Sequence, residues 1–176
     1  VEARDWALQL CDVMTYLHSQ NPPVIFRDLK PANIMITPQG QIKLVDFGIA
    51  RPFNQAKAGD TLVLGTQGYA QPEQYGKSQT DARADIYALG VVLYELLTGE
   101  LPVGEYDPPS RKVQIDVRLD AIVLRALEHT PELRYQTIDE MRTQVMTVVN
   151  DPAPARAGSS VDQSPPHQIN VATSYI

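Results

Sequence analysis

A single cysteine, Cys11, stands among 176 residues, so neither an intrachain disulfide nor a cysteine-built metal cluster is available to this chain. Basic charge is also scarce, since 15 Lys and Arg against 21 Asp and Glu leave a net charge of −6. That balance offers no electrostatic footprint for nucleic acid or for an anionic membrane. No apolar run is long enough to cross a bilayer, the longest, around Ala88 to Leu97, being interrupted by Glu95. Glycine and lysine are both missing from the 25 residues before Phe26, which excludes a glycine-rich phosphate loop or a phosphate-binding lysine there. What is present is ordinary for a globular protein: 43% hydrophobic residues and enough length for one sizeable core.

Periodicity divides the chain into elements. Trp6, Leu10, Val13 and Leu17 recur at steps of four, three and four, which is one face of an amphipathic helix. Cys11 falls inside that pattern as a small buried apolar group, and His18 closes it where an imidazolium suits the helix dipole. Asn21-Pro22-Pro23 breaks the helix, and Val24-Ile25 reads as a short strand. Ile34-Met35-Ile36 and Ile42-Lys43-Leu44-Val45 bracket Pro38-Gln39-Gly40 as a hairpin. Residues 49 to 73 carry no strong periodicity. From Asp85 to Leu97 the chain is apolar nearly all round, which predicts a helix in the middle of a core, ended by Thr98-Gly99. Leu119 to Leu127 predicts another helix, and Ile138, Met141, Val145 and Val148 mark the stripe of a last one. Pro, Ser, Ala and Gln then dominate, so residues 150–176 are expected to form a disordered Pro/Ser-rich tail or linker.

The chemistry is concentrated in two loops. Phe26-Arg27-Asp28-Leu29-Lys30-Pro31-Ala32-Asn33 is followed, thirteen residues after the Asn, by Asp46-Phe47-Gly48. Asp28 supplies a carboxylate that can accept or orient a hydroxyl proton, while Asn33 and Asp46 supply the hard oxygen ligands that Mg2+ prefers. Taken singly, Asp, Asn and Gly only mark loops between strands. Their joint order and spacing resembles the catalytic and metal-binding loops of protein kinases, and the chain looks most like the eukaryotic-like serine/threonine kinases of bacteria.

That resemblance implies a mainly α fold, the large (C-terminal) lobe of the protein-kinase fold with short β-hairpins at the two loops, over residues 1–149. The small N-terminal lobe would be missing, so the chain is expected to be a partial sequence. The implied activity is transfer of the γ-phosphate of ATP, with Mg2+, to Ser or Thr of protein substrates in the cytoplasm, with no nucleic-acid partner. This fragment alone is expected to be inactive. Asp28 would be the catalytic carboxylate, and Lys30 resembles the lysine that contacts the transferred phosphate. Asn33 and Asp46 would bind metal and nucleotide.

Further positions follow from the same resemblance. Arg27 resembles the arginine that pairs with a phosphorylated activation segment. Thr61, the one hydroxyl-bearing residue between Gly48 and Gly65, is the candidate phosphate carrier. Thr66 would belong to the substrate platform, Glu73 and Arg134 would form a structural pair, and Asp85 would accept backbone hydrogen bonds from the catalytic loop. Three positions depart from the family pattern. Phe26 replaces a histidine, so a ring is expected to pack under the metal-binding loop while the histidine's hydrogen bonds are lost. Gln71 stands where alanine is usual. The segment with Pro102, Pro108 and Pro109 is too short for the family's extra helix, which is expected to be shortened or absent. The competing reading is a pseudokinase or regulatory binding module. Retention of Asp28, Lys30, Asn33, Asp46 and Thr66 favours chemistry over it.

Overall fold

Five helices and two small antiparallel ribbons account for the regular structure of residues 2–47, 50–52, 68–69 and 81–151, the part of the chain described by this computed structural model. Helix α1 (Glu2–His18) leads to strand β1 (Val24–Ile25), and the hairpin follows as β2 (Ile34–Ile36) and β3 (Ile42–Leu44). Strand β4 (Arg51–Pro52) pairs antiparallel with β1, Val24 opposite Pro52. In the hairpin, Ile34 lies opposite Leu44 and Ile36 opposite Ile42. The remaining helices are α2 (Ala82–Thr98), the single turn α3 (Pro109–Lys112), α4 (Arg118–Ala126) and α5 (Ile138–Asn150). The fold is mainly helical.

Helices α2 and α5 begin at side-chain caps. The side chain of Asp81 caps α2 by accepting from the Arg83 N–H at 2.8 Å. Gly99, at φ 76°, closes the helix by donating from its N–H to the Glu95 carbonyl. Thr137 caps α5 through Glu140 N–H, and Glu140 reaches back to accept from Gln136 N–H. The three prolines do shorten the segment after α2, leaving one helical turn at Pro109–Lys112.

The core is built around α2, whose residues from Ala84 to Tyr94 are buried apart from the half-buried Tyr87. Helix α1 packs on α5 and α2, and α4 packs on α2 and α5. Ile138, Met141, Val145 and Val148 of α5 all face inward. On α1 the structure corrects the expected face. The buried stripe is Ala7, Leu10, Cys11, Met14 and Leu17, whereas Trp6 and Val13 lie at its half-buried margin. Small side chains at 7 and 11 suit the line of closest approach, which the larger Trp6 borders. Strand β4 was not foreseen, because two residues without alternation carry no strand signal.

Gly90 marks the tightest crossing. A Cβ placed there would stand 2.8 Å from the Cβ of Ala126 and 3.3 Å from the Leu127 side chain. Alanine at position 90 would gain ~1 kcal/mol of helix propensity but overpack a contact with no flexible side-chain end to yield. We expect Gly90→Ala to lower stability by about 1–2 kcal/mol net in urea denaturation. Adding Ala126→Gly should recover part of the loss.

Burial pushes the Cys11 thiol from 9.0 up to about 12 and raises the hydroxyls of Tyr69, Tyr94, Tyr106 and Tyr135. The folded state therefore holds these protons more tightly than the unfolded chain does. Their contribution is complete below the unfolded value and is lost as pH rises through it towards the folded value. The unfolding free energy from urea denaturation should fall beyond about pH 9, by on the order of 1 kcal/mol per pH unit. A thiol reagent should label Cys11 only at the rate of unfolding.

Candidate functional site

The loop after β1 begins at Phe26, which is fully buried, and Arg27, which is buried at φ 71°. A positive φ is uncommon outside glycine, and here the carboxylate of Asp85 holds it in place. Asp85 sits in the first turn of α2 with no exposed surface. Its Oδ2 accepts from Phe26 N–H at 2.8 Å and its Oδ1 from Arg27 N–H at 2.7 Å. His18, the last residue of α1, brings its Nε2 to 2.8 Å from Asp85 Oδ2. A carboxylate oxygen can only accept, so Nε2 donates in this contact.

One residue further on, Asp28 enters a compact constellation. Its Oδ2 lies 2.8 Å from Lys30 Nζ and accepts from Asn33 Nδ2 at 3.0 Å. The same Nδ2 donates to the Asp28 carbonyl at 2.8 Å. Pro31 starts the short 3-10 turn Pro31–Asn33 that places Lys30 and Asn33 on either side of the carboxylate. The Asn33 amide nitrogen is thus turned to Asp28, so its oxygen is the atom that could ligate a cation.

Asp46 follows β3 in an exposed position at φ 61°. Two tethers bring its segment to the loop. Val45 N–H donates to the Asn33 carbonyl at 2.9 Å, and the Phe47 ring meets Phe26 edge-on with centroids 5.1 Å apart. Phe26 therefore packs against the second loop as a ring can. Arg27 and Asp46 are the only non-glycine residues with positive φ among the described residues, and they flank the Asp28 constellation, where functional sites commonly concentrate strain.

Among the described residues no three His, Cys, Asp or Glu side chains gather to hold a metal by themselves. An ion held by the Asn33 oxygen and the Asp46 carboxylate would complete its shell with water and phosphate oxygens. That mixed set is the kind Mg2+ accepts, so the donors present fit it.

Arg134 is fully buried. Its guanidinium donates to the carbonyls of Glu128, Arg83 and His129 at 2.7, 3.1 and 3.1 Å and lies 4.9 Å from the Tyr87 ring centroid. It binds the start of α2 to the connection between α4 and α5. Tyr69 donates its hydroxyl to Glu95 of α2 at 2.6 Å. Gly48, Thr61, Thr66, Gln71 and Glu73 lie outside the described residues. Sequence reasoning did not find the His18 and Tyr69 contacts. Neither contact has a local sequence signal, because each joins residues far apart in the chain.

Removing the Asp85 carboxylate would leave two backbone N–H groups and an imidazole without their acceptor. We expect Asp85→Ala to destabilise the fold by roughly 3–5 kcal/mol. His18→Ala, which keeps the backbone bonds, should cost about 1–3 kcal/mol. Equal losses for the two variants in urea denaturation would contradict this ordering.

Comparison with known sequences places the chain. Residues 1–159 match the protein kinase domain family. The serine/threonine-protein kinase PknB of Mycolicibacterium smegmatis is 41% identical over 164 residues, covering 82% of this chain and 26% of that protein. PknB of Mycobacterium leprae is 42% identical over 155 residues, 78% of this chain and 25% of its own length. A probable serine/threonine-protein kinase of Streptomyces coelicolor is 41% identical over 146 residues, 73% of this chain and 22% of that protein. The chain thus spans about a quarter of the length of the curated relatives it matches.

Proposed function

The chain belongs to the protein kinase domain family, and on that premise we propose that it is the large, C-terminal lobe of a serine/threonine kinase whose intact parent transfers the γ-phosphate of ATP to Ser or Thr of protein substrates. The observation that carries this reading is the Asp28 carboxylate held between Lys30 and Asn33, with the Asp46 segment tethered alongside. The mainly helical architecture supports the lobe assignment, as does the lack of glycine and lysine before Phe26. Relatives named as serine/threonine-protein kinases support the choice of acceptor.

In this reading Asp28 orients the substrate hydroxyl and takes up its proton, its own orientation set by the bonds from Asn33 and Lys30. Lys30, 2.8 Å from that carboxylate, places a compact positive charge where the transferred phosphoryl group gathers negative charge. Asn33 and Asp46 would hold Mg2+, which would supply positive charge against that of the phosphates. The φ of 61° at Asp46 sets the direction of its carboxylate. Residues 1–149 form the kinase part and 150–176 a linker, in a cytoplasmic setting. No helix among the described residues is long and apolar enough to cross a membrane. Thr66 belongs to the platform for the substrate, and Glu73 pairs with Arg134. Phosphate on Thr61 would find a bidentate partner in Arg27.

Asp28→Asn in the full-length protein tests the reading. Phosphate transfer from ATP to a Ser/Thr-bearing protein should fall by about 10²–10⁴-fold, while Mg2+-dependent nucleotide binding changes little. The 176-residue chain alone should transfer well below ~1 per second, the low end for kinases, because half of the phosphate cradle is supplied by residues it does not contain. A full-length wild type that binds nucleotide without transfer would identify a pseudokinase instead.

A further inference from the structure

The side chain of Gln9 joins helix α1 to the β2–β3 hairpin. Gln9 is half-buried, with its amide Nε2 donating to the Gly40 carbonyl at 3.0 Å and its Oε1 accepting from the Ile42 N–H at 2.8 Å. A single flat head thus closes on a carbonyl and an N–H two residues apart on the turn and the edge of β3. An amide carries a donor and an acceptor on one carbon of a flat head, and asparagine is one methylene shorter. Gly40 stands at φ 75° in that turn, with its N–H bonded to the Thr37 carbonyl at 2.8 Å.

The hairpin needs such a clamp. Its strands are three residues each, and an isolated two-stranded hairpin is marginal in water. Its register matters at the far end. Asn33 immediately precedes β2, Asp46 follows β3 by two residues, and the pairing of Ile34 with Leu44 brings both to the same end of the ribbon. The bond from Val45 N–H to the Asn33 carbonyl locks that end. A slip of one residue would move Asp46 about 3.3 Å along the strand and turn alternate side chains to the other face. Gln9 engages Gly40 and Ile42 together in one register only.

We propose that Gln9 is a positioning residue for the Asn33 and Asp46 ligand pair, acting through the register of the β2–β3 hairpin; this rests on the reading of that pair as holders of Mg2+ with ATP. The effect on chemistry is indirect, because Gln9 touches neither loop that carries the reaction. Its loss weakens the hold on the metal–nucleotide complex and leaves the Asp28 constellation as it is.

The test uses the full-length protein with Gln9→Met, which keeps the length and apolar stem, and Gln9→Glu, which keeps the acceptor for Ile42 but sets an oxygen against the Gly40 carbonyl. Amide hydrogen exchange at Ile42 and Val45 should quicken about tenfold in Gln9→Met while amides of α2 and α5 keep their protection. The Mg2+ concentration for half-maximal binding of a fluorescent ATP analogue should rise about tenfold, the low end for residues that orient metal ligands. Turnover at saturating Mg2+ should stay within about twofold of wild type. Gln9→Glu should fall between wild type and Gln9→Met at the Ile42 amide. Unchanged exchange at Ile42 and Val45, an equal rise throughout α2 and α5, or an unchanged Mg2+ requirement would each overturn the proposal. A wild type that transfers no phosphate would sink the functional reading alone, since exchange and analogue binding are read without turnover.

Discussion

The buried carboxylate of Asp85 is the interaction on which the arrangement of the site depends. An ionised carboxylate without exposed surface costs several kcal/mol of desolvation unless donors surround it. Its donors come from two other places in the chain: the end of α1 through His18, and the loop after β1 through the N–H groups of Phe26 and Arg27. The position near the start of α2 adds the favourable end of the helix dipole. One charge therefore joins two helices and a loop at a single point. The loop leaves that point at Arg27 in a left-handed conformation, and the next residue is Asp28. Without the acceptor, neither the strained φ nor the direction of Asp28 would be maintained.

The two functional loops rest on the core from its margin. Asp28, Lys30 and Asn33 organise one another locally, within six residues of chain. Asp46 is brought alongside by contacts that are individually modest: one backbone hydrogen bond from Val45 and one edge-on aromatic contact of Phe47 with Phe26. Aromatic pairs of this kind contribute roughly 0.5–1.5 kcal/mol beyond burial. The start of α2 is also bound by Arg134, which donates to the Arg83 carbonyl and to the carbonyls of Glu128 and His129.

Much of this was legible in the residues themselves. The helix from Ala82 to Thr98 was visible because a stretch apolar all round has only the middle of a core to occupy, and Gly99 announces its end. The hairpin was visible because Pro38-Gln39-Gly40 interrupts two short apolar runs. The face of α1 was not. Apolar periodicity defines an arc, and packing against α5 and α2 set its buried centre to include Ala7, Cys11 and Met14. Strand β4 was equally hidden, since its existence depends on a partner 27 residues away at β1.

The amino-acid sequence by itself determined which chemistry is available. The order Arg27-Asp28, Lys30, Asn33 and Asp46 is a property of covalent spacing, as are the breaks at Pro22 and Gly99 and the stripes that become helices. Only the tertiary structure decided how those groups are held. His18 meets Asp85 across 67 positions, Tyr69 meets Glu95 across 26, and Gln9 meets Ile42 across 33. None of these pairs shares a helical turn or a strand, so no local period or propensity encodes them. They form when the packing of α1 and α2 brings distant polar groups together in partly buried places, where each gains a partner in place of water.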